Sequence, residues 1–429
     1  MTILRILLAA LFLSGPFTAQ ATDSWDAKAI GASRAVSALA PARAQPLPDR
    51  LLAIAGGDPR LIVIKAATLT IAASLPLPGP PAGPPLVAPD GRFAYMIGQD
   101  GWIERIDLAS LRASGRIRVG RAASGLALSE DGAWLLAALD RPGQLVALRA
   151  PELELFRVIP ARSDRGQPSS AGAVQTVPGR ASFVALLPEI AEIWELSHDA
   201  LAPPVYSGMV HSFEKGLEEA VGETQPFARR RTKAQAALGA FFLSPDGVEI
   251  GGAAVDGSGG AIYNLDARRL AARIPADLRL AYAAARPVAF HAHPAMIVPV
   301  LGRAELVMLD RRHWQVLGSL PLAAPARFLA VDGEGGPVFA SGFAGPLRDA
   351  IEILDPASRQ RLALLRPVAG ATLGPILLAD RGRLIYAVIE GPAGGVATFD
   401  TAGQKPVKRL ELADILTLVA AFPRPEIAR

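Results

Sequence analysis

Eight short strand signals recur along the chain, most of them closed by an acidic residue. They are Ile62–Lys65, Ile103–Asp107, Leu145–Arg149, Ile193–Ser197, Ile262–Asp266, Leu306–Asp310, Ile351–Asp355 and Val396–Asp400. Between their last residues the steps are 42, 42, 48, 69, 44, 45 and 45 residues. A unit of about 40–50 residues built only of strands and turns has the length of one four-stranded propeller blade. A single blade cannot bury both of its faces alone, so the repeat predicts a closed ring of stacked neighbours. The expected fold is all-β: one domain, an eight-bladed β-propeller of four-stranded antiparallel blades.

The second repeat shows the unit most clearly. Leu86-Val87-Ala88 reads as a strand, Pro89-Asp90-Gly91 as a tight turn, and Arg92 to Ile97 as a second strand. Gly98-Gln99-Asp100-Gly101 turns again before the strand Trp102 to Asp107, and Gly115 to Val119 completes the set. In such turns proline presets φ, aspartate hydrogen-bonds forward along the backbone, and glycine takes the positive φ. The same chemistry returns at Glu130-Asp131-Gly132, Pro245-Asp246-Gly247, Asp332-Gly333 and Asp380-Arg381-Gly382. A helical alternative fails because 37 prolines and 41 glycines are spread through the whole chain.

The termini and the irregular step set the domain boundaries. Arg5, the apolar run Ile6 to Leu13 and Ala19-Gln20-Ala21 read as a signal peptide over residues 1–21. The apolar run is far shorter than the roughly 20 residues that span a bilayer, and no later segment approaches that length. The mature chain is therefore expected to be exported, soluble and periplasmic, with no transmembrane segment after cleavage. Residues 22–47, Ala-rich with Pro41 and Pro46, read as a linker, and 48–429 as the propeller. The 69-residue step exceeds a blade and predicts an insertion at about 206–235, carrying Glu218-Glu219 and Arg229-Arg230-Arg231. Such an excursion suits a surface loop or a docking element for a periplasmic protein partner.

Composition excludes several functions. The sequence has no cysteine, which removes disulfides, thiolate metal sites, a lipoprotein anchor and covalent c-type haem. A formal charge of +4 over 429 residues leaves no basic stripe, so no nucleic-acid partner is expected. H-E-x-x-H, Walker A and G-x-S-x-G patterns are absent, and no catalytic pair can be named. Trp102, Trp134, Trp194 and Trp314 are expected to pack within or at the edge of blades. Among five histidines, His291 and His293 stand two apart, and on a strand that spacing projects both imidazoles from one face. They are candidates to flank a porphyrin, with no separate metal site expected. Arg303, Arg327 and Arg348 lie at loop junctions of repeats six and seven, where guanidinium groups suit a ligand's carboxylates.

The stretch Asp90-Gly91-Arg92-Phe93-Ala94-Tyr95-Met96-Ile97-Gly98-Gln99-Asp100-Gly101 resembles the haem d1 biosynthesis propeller proteins of the NirF type. These are relatives of the d1 domain of cytochrome cd1 nitrite reductase. Further likenesses run through Val298 to Asp310, at Trp314-Gln315-Val316-Leu317-Gly318 and at Glu192-Ile193-Trp194. The resemblance implies an eight-bladed periplasmic propeller that holds haem d1 or a precursor, non-covalently, over its channel. Where the family tends to carry histidines, this chain reads Pro80-Pro81-Ala82-Gly83-Pro84, Ala283-Ala284-Ala285 and Phe343-Ala344-Gly345-Pro346, and only Arg303 matches a polar family position. The expectation is an exported binding or assembly protein, non-catalytic or only assisting, that takes a tetrapyrrole of the haem d1 type. An oxidoreductase acting on a bound tetrapyrrole or quinone cofactor is the least supported reading, because no acid–base pair can be located. Its expected cofactor contacts are His291, His293, Arg303 and Arg327. The alternative is an interaction scaffold in a periplasmic redox or respiratory assembly, docking through residues 206–235.

Overall fold

The computed structural model describes residues 25–37, 49–206, 222–291, 293–402 and 405–421. Eight antiparallel sheets of the expected blade type form one ring, each with its strands ordered from an inner to an outer edge. Every one of the eight sequence signals lies in or at the end of a third strand, as in Trp102–Asp107, Gln144–Arg149 and Glu305–Asp310. The inner strands of blades 2 to 8 are Leu86–Val87, Ala122–Leu128, Val174–Thr176, Leu238–Leu243, Arg286–Phe290, Phe328–Val331 and Thr372–Ala379. Blade 1 is assembled from both ends of the ring. Ile415–Ala421 is its inner strand and pairs antiparallel with Arg50–Ala55.

The acidic residue that closes most signals has a local task. Asp107 Oδ1 accepts the Ala109 and Ser110 N–H groups at 2.8 and 3.2 Å. Asp310 accepts Arg312 N–H at 3.1 Å, Asp355 accepts Ala357 N–H at 3.0 Å, and Asp400 accepts Ala402 N–H at 2.9 Å. The carboxylate thus caps the backbone as it leaves the third strand. These hairpins then return through a left-handed residue, Leu111 at φ 58°, Trp314 at 59° and Arg359 at 57°. At the other hairpins Asp90, Asp131 and Asp246 accept N–H groups two residues on, and Gly91, Gly132 and Gly247 take φ of 71°, 73° and 69°.

Alternation along each strand sends side chains to the two neighbouring blades in turn. Leu51 and Ala53 pack against blade 8, whereas Leu52 and Ile54 pack against blade 2. The outcome is eight separate apolar cores, one between every pair of adjacent blades. A fully buried leucine or isoleucine in such a core contributes about 1.5–3 kcal/mol. Trp134 and Trp194 lie in the core between blades 3 and 4, and Trp314 in that between blades 5 and 6. Trp102 is half-buried beneath Arg116, whose guanidinium carbon stands 5.0 Å from the ring centroid.

Two sequence expectations change here. Part of the supposed linker is ordered on the ring: Ala27–Ala32 is a short helix and Ala35–Val36 a fifth strand on the outer edge of blade 2. Ile30 is fully buried in the core between blades 2 and 3, and Arg34 donates to the Glu152 and Leu153 carbonyls. In the insertion, Arg229–Lys233 is the outer strand of blade 4, so the arginine run belongs to the blade itself. The excursion lies between Ser197 and Arg229, and its described part includes a ribbon pairing Val205–Tyr206 with Gly222–Glu223. Residues 207–221 lie outside the described residues, as do residues 1–24, where the signal peptide is expected.

One close approach makes a stringent test of the packing. A Cβ added at Gly260 would stand 1.6 Å from the Tyr282 hydroxyl, which is itself buried without a hydrogen-bond partner. Gly260→Ala should lower stability by about 2–3 kcal/mol through overpacking. Adding Tyr282→Phe should recover part of that loss, and Tyr282→Phe alone should be neutral or mildly stabilising because it removes an unsatisfied buried group. Urea denaturation midpoints of the three variants check this.

Candidate functional site

Antiparallel blades in a ring give the molecule two unlike faces. Turns between inner and second strands, and between third and outer strands, gather on one of them, the hairpin face. Turns between second and third strands, together with the links from blade to blade, gather on the other, the connection face.

His291 occupies the turn between Arg286–Phe290 and His293–Pro299, with φ 46°, and its ring lies edge-on to Phe290 with centroids 4.3 Å apart. It is therefore not a strand residue, and the shared projection expected for a His-x-His pair does not arise. His293 opens the second strand, and both side chains are exposed. His313 sits in a third-to-outer turn with Nδ1 2.8 Å from Asp310 Oδ2. His198 begins the blade 4 excursion, and His211 lies outside the described residues. All four described histidines are on the hairpin face.

The arginines are on the connection face. Arg303 is exposed in the turn between the second and third strands of blade 6. Arg327, in the link to blade 7, donates through Nη2 to both carboxylate oxygens of Glu390 at 2.8 and 2.9 Å. Arg348 donates from Nε to the Gly370 carbonyl at 3.1 Å. The four expected contacts thus divide, His291 and His293 on one face, Arg303 and Arg327 on the other. They do not form one site.

Between the two faces runs the axial channel. A cavity of about 470 Å³ lies along the inner strands of blades 3 and 4 beside the link Ala82-Gly83-Pro84, with Ser124 and Gln175 among its polar groups. A second, of about 340 Å³, lies nearer the hairpin face between Pro89, Glu130 and Val419. The walls are mostly small or apolar residues, the surface that a flat organic ligand needs. On the far side of the ring the hairpin mouth is narrowed. The Ala289 N–H on the inner strand of blade 6 donates to the Glu334 carbonyl, so the blade 7 turn leans across that strand.

Arg286 is a residue that sequence reading missed. It is the first residue of the inner strand of blade 6, on the connection face, held extended by the following Pro287. Its Nη1 donates to the Ala285 carbonyl at 2.8 Å, and among the described residues no carboxylate pairs with it. Burial lowers its guanidinium below the ordinary arginine value, with no acidic group to offset the cost. The signal was available: an arginine directly after Ala283-Ala284-Ala285, at the opening of a predicted inner strand.

A larger cavity, about 700 Å³, opens between blades 4 and 5 on the hairpin face. Its floor is Glu195, 4% exposed, which accepts from Ser182 Oγ at 3.0 Å, Arg180 at 2.8 Å and Arg230 at 3.0 Å. One wall is the excursion, Pro203-Pro204-Val205-Tyr206.

With this geometry the comparisons become informative. The Cytochrome D1 heme domain family matches residues 51–212. The chain is 28% identical over 330 residues to the dihydro-heme d1 dehydrogenase of Pseudomonas aeruginosa, covering 77% of this chain but only 62% of that protein's length. It is 25% identical over 294 residues to protein NirF of the same organism, covering 66% of this chain and 68% of that one. The solved structure of dihydro-heme d1 dehydrogenase NirN in complex with DHE superposes with a TM-score of 0.81 at 26% identity, over 94% of this chain and 82% of that one. The chain is thus similar to d1-type propeller proteins.

One described histidine of this propeller is electrostatically distinct. Burial lowers the His198 imidazole below its ordinary value, and the Asp131, Asp199 and Glu130 carboxylates oppose that shift. Its ring packs on Phe183 at 5.4 Å, and Nε2 is buried without a partner. A depressed folded value means that the neutral ring contributes stability above the unfolded value of about 6.5, lost as pH falls through the folded value. His198→Gln should therefore flatten the fall in urea midpoint below about pH 6.5. An unchanged slope would assign that titration elsewhere.

Proposed function

We propose that this chain is an exported propeller that binds a tetrapyrrole of the haem d1 type in its axial channel and assists haem d1 biosynthesis or delivery. The observation that carries this reading is the near full-length superposition on NirN, a protein solved in complex with DHE. Two features of the residues present fit such a ligand. The channel offers a cavity of about 470 Å³ with mainly small and apolar walls, the kind of surface that accepts a flat macrocycle. The connection face offers Arg286, without a carboxylate partner among the described residues, and exposed Arg303, and guanidinium groups recognise carboxylates by paired N–H donation. The bound ring would bring conjugated and redox chemistry, and this chain's residues would orient it and screen it from water. Export rests on the leader-like run Ile6 to Leu13 after Arg5, and absence of cysteine is in keeping with a non-covalent ligand.

Titrating the purified chain with dihydro-haem d1 should shift the Soret band in a saturable way with one ring per chain. A spectrum that remains the sum of its parts would reject the assignment.

The second reading is an interaction scaffold, favoured by one observation. At the mouth of the cavity between blades 4 and 5, Leu201 is 93% and Tyr206 62% exposed, beside the described part of the excursion. Exposed apolar side chains beside a cavity offer surface that a protein partner could cover. Leu201→Asp/Tyr206→Asp should abolish co-purification of a periplasmic partner while leaving the thermal midpoint and tetrapyrrole titration unchanged. Retention of the partner would remove this reading.

A further inference from the structure

The cavity of about 700 Å³ between blades 4 and 5 lies away from the axis and has the size of a small-molecule site. Its floor is fully committed. Both oxygens of buried Glu195 are taken, Oε1 by Ser182 and Arg180 and Oε2 by Arg230. Arg180 also donates to Asp266 Oδ1 at 2.8 Å, which ties blade 4 to blade 5. One wall is equally fixed. Gln225 Nε2 donates to the Pro203 carbonyl at 3.1 Å and its Oε1 accepts the Ala228 N–H at 3.2 Å, holding the apolar run Pro203-Pro204-Val205-Tyr206 in place. Two lining charges are left over. Arg268, in the third-to-outer turn of blade 5, has no ion pair or hydrogen bond among the described residues. Asp199, at the root of the blade 4 excursion, spends only Oδ1, on the Leu201 N–H at 2.8 Å, and no lysine or arginine among the described residues pairs with it. A spare cation thus lines the cavity from blade 5 and a spare anion from blade 4.

We infer that this cavity is a second ligand site, independent of the axial channel, and that it takes a zwitterion with an apolar body, a free short peptide. Arg268 receives the carboxylate and Asp199 the ammonium group, each through a charge-assisted hydrogen bond. The peptide's side chains lie against Pro204 and Tyr206. A purely anionic ligand would set its charge against Asp199, and a purely cationic one against Arg268. Nor does the cavity as a whole favour either sign, because Arg180, Arg230 and Arg268 are balanced by Glu195, Asp199 and Asp266. A chain end of a partner protein carries only one of the two charges, whereas a free peptide carries both.

Calorimetric titration of the full chain with the dipeptide Ala-Phe, its N-acetyl form and its C-terminal amide tests this. Ala-Phe should bind saturably, one per chain. Each blocked form should bind about 10- to 100-fold more weakly, the scale of one lost charge-assisted hydrogen bond. Arg268→Gln should bind Ala-Phe and its amide alike, and Asp199→Asn should bind Ala-Phe and the acetylated form alike. Both residues are exposed, and asparagine keeps the Oδ1 acceptor for Leu201, so urea midpoints should not move. The Soret titration with dihydro-haem d1 should be the same in both variants as in the wild type. No saturable heat with Ala-Phe, equal affinity for free and blocked peptides, or wild-type discrimination in either variant overturns the inference and leaves the tetrapyrrole reading standing. Loss of tetrapyrrole binding in Arg268→Gln overturns the independence of the two sites.

Discussion

Everything in this molecule depends on burying both faces of every blade. A four-stranded sheet with apolar side chains alternating to either side is stable only when each side meets another sheet. Eight blades need eight such contacts, and the eighth exists only if the ring closes. Closure is made by backbone pairing between Ile415–Ala421 and Arg50–Ala55, which joins residues more than 350 positions apart in the sequence. Tyr386 and Val388 of blade 8 then share a core with Leu51 and Ala53 of blade 1. Without that strand, blade 1 would lose its inner edge, and the core it shares with blade 8 would lose Ile415 and Leu418.

Closure also sorts the chemistry. Once the strands run in fixed directions around a ring, a residue's place in its repeat decides its face, whatever its distance in sequence. His291 and Arg303 are twelve residues apart and yet belong to opposite mouths, because one strand separates the turns that hold them. Arg327 and Glu390 are 63 residues apart and meet on one face. The connection mouth keeps a guanidinium without a carboxylate, while the hairpin face holds the described histidines and the network in which Arg180 and Arg230 neutralise buried Glu195. The axial cavities and the cavity between blades 4 and 5 therefore lie in separate parts of the ring.

How far the sequence could be read follows from the same geometry. The repeat was legible because third strands are buried on both faces and end in a carboxylate that caps the next turn, so each leaves a local pattern such as Leu306-Val307-Met308-Leu309-Asp310. The turns were legible because positive φ demands glycine at Gly91, Gly132 and Gly247. The Ala-rich segment before the ring was read as a linker, although Ile30 is fully buried, because a six-residue helix and a two-residue strand carry no periodicity of their own. The arginine run 229–231 was read as part of an excursion because charge suggests a loop. As an outer strand it lays Arg229 and Arg231 over Trp194, with ring distances of 5.3 and 5.1 Å.

The sequence by itself determined the number of blades, the place of the irregular step and the family likeness, because each depends on residues close together in one repeat. Only the tertiary structure decided which strand closes the ring and which face each candidate contact occupies. These are relations between residues from different blades, set by strand direction and ring closure, and they leave no spacing in the chain from which to read them. Arg286 shows the difference. In the sequence it is one arginine among many before a proline. In the ring it stands half-buried at the start of the blade 6 inner strand, without a carboxylate among the described residues to neutralise it.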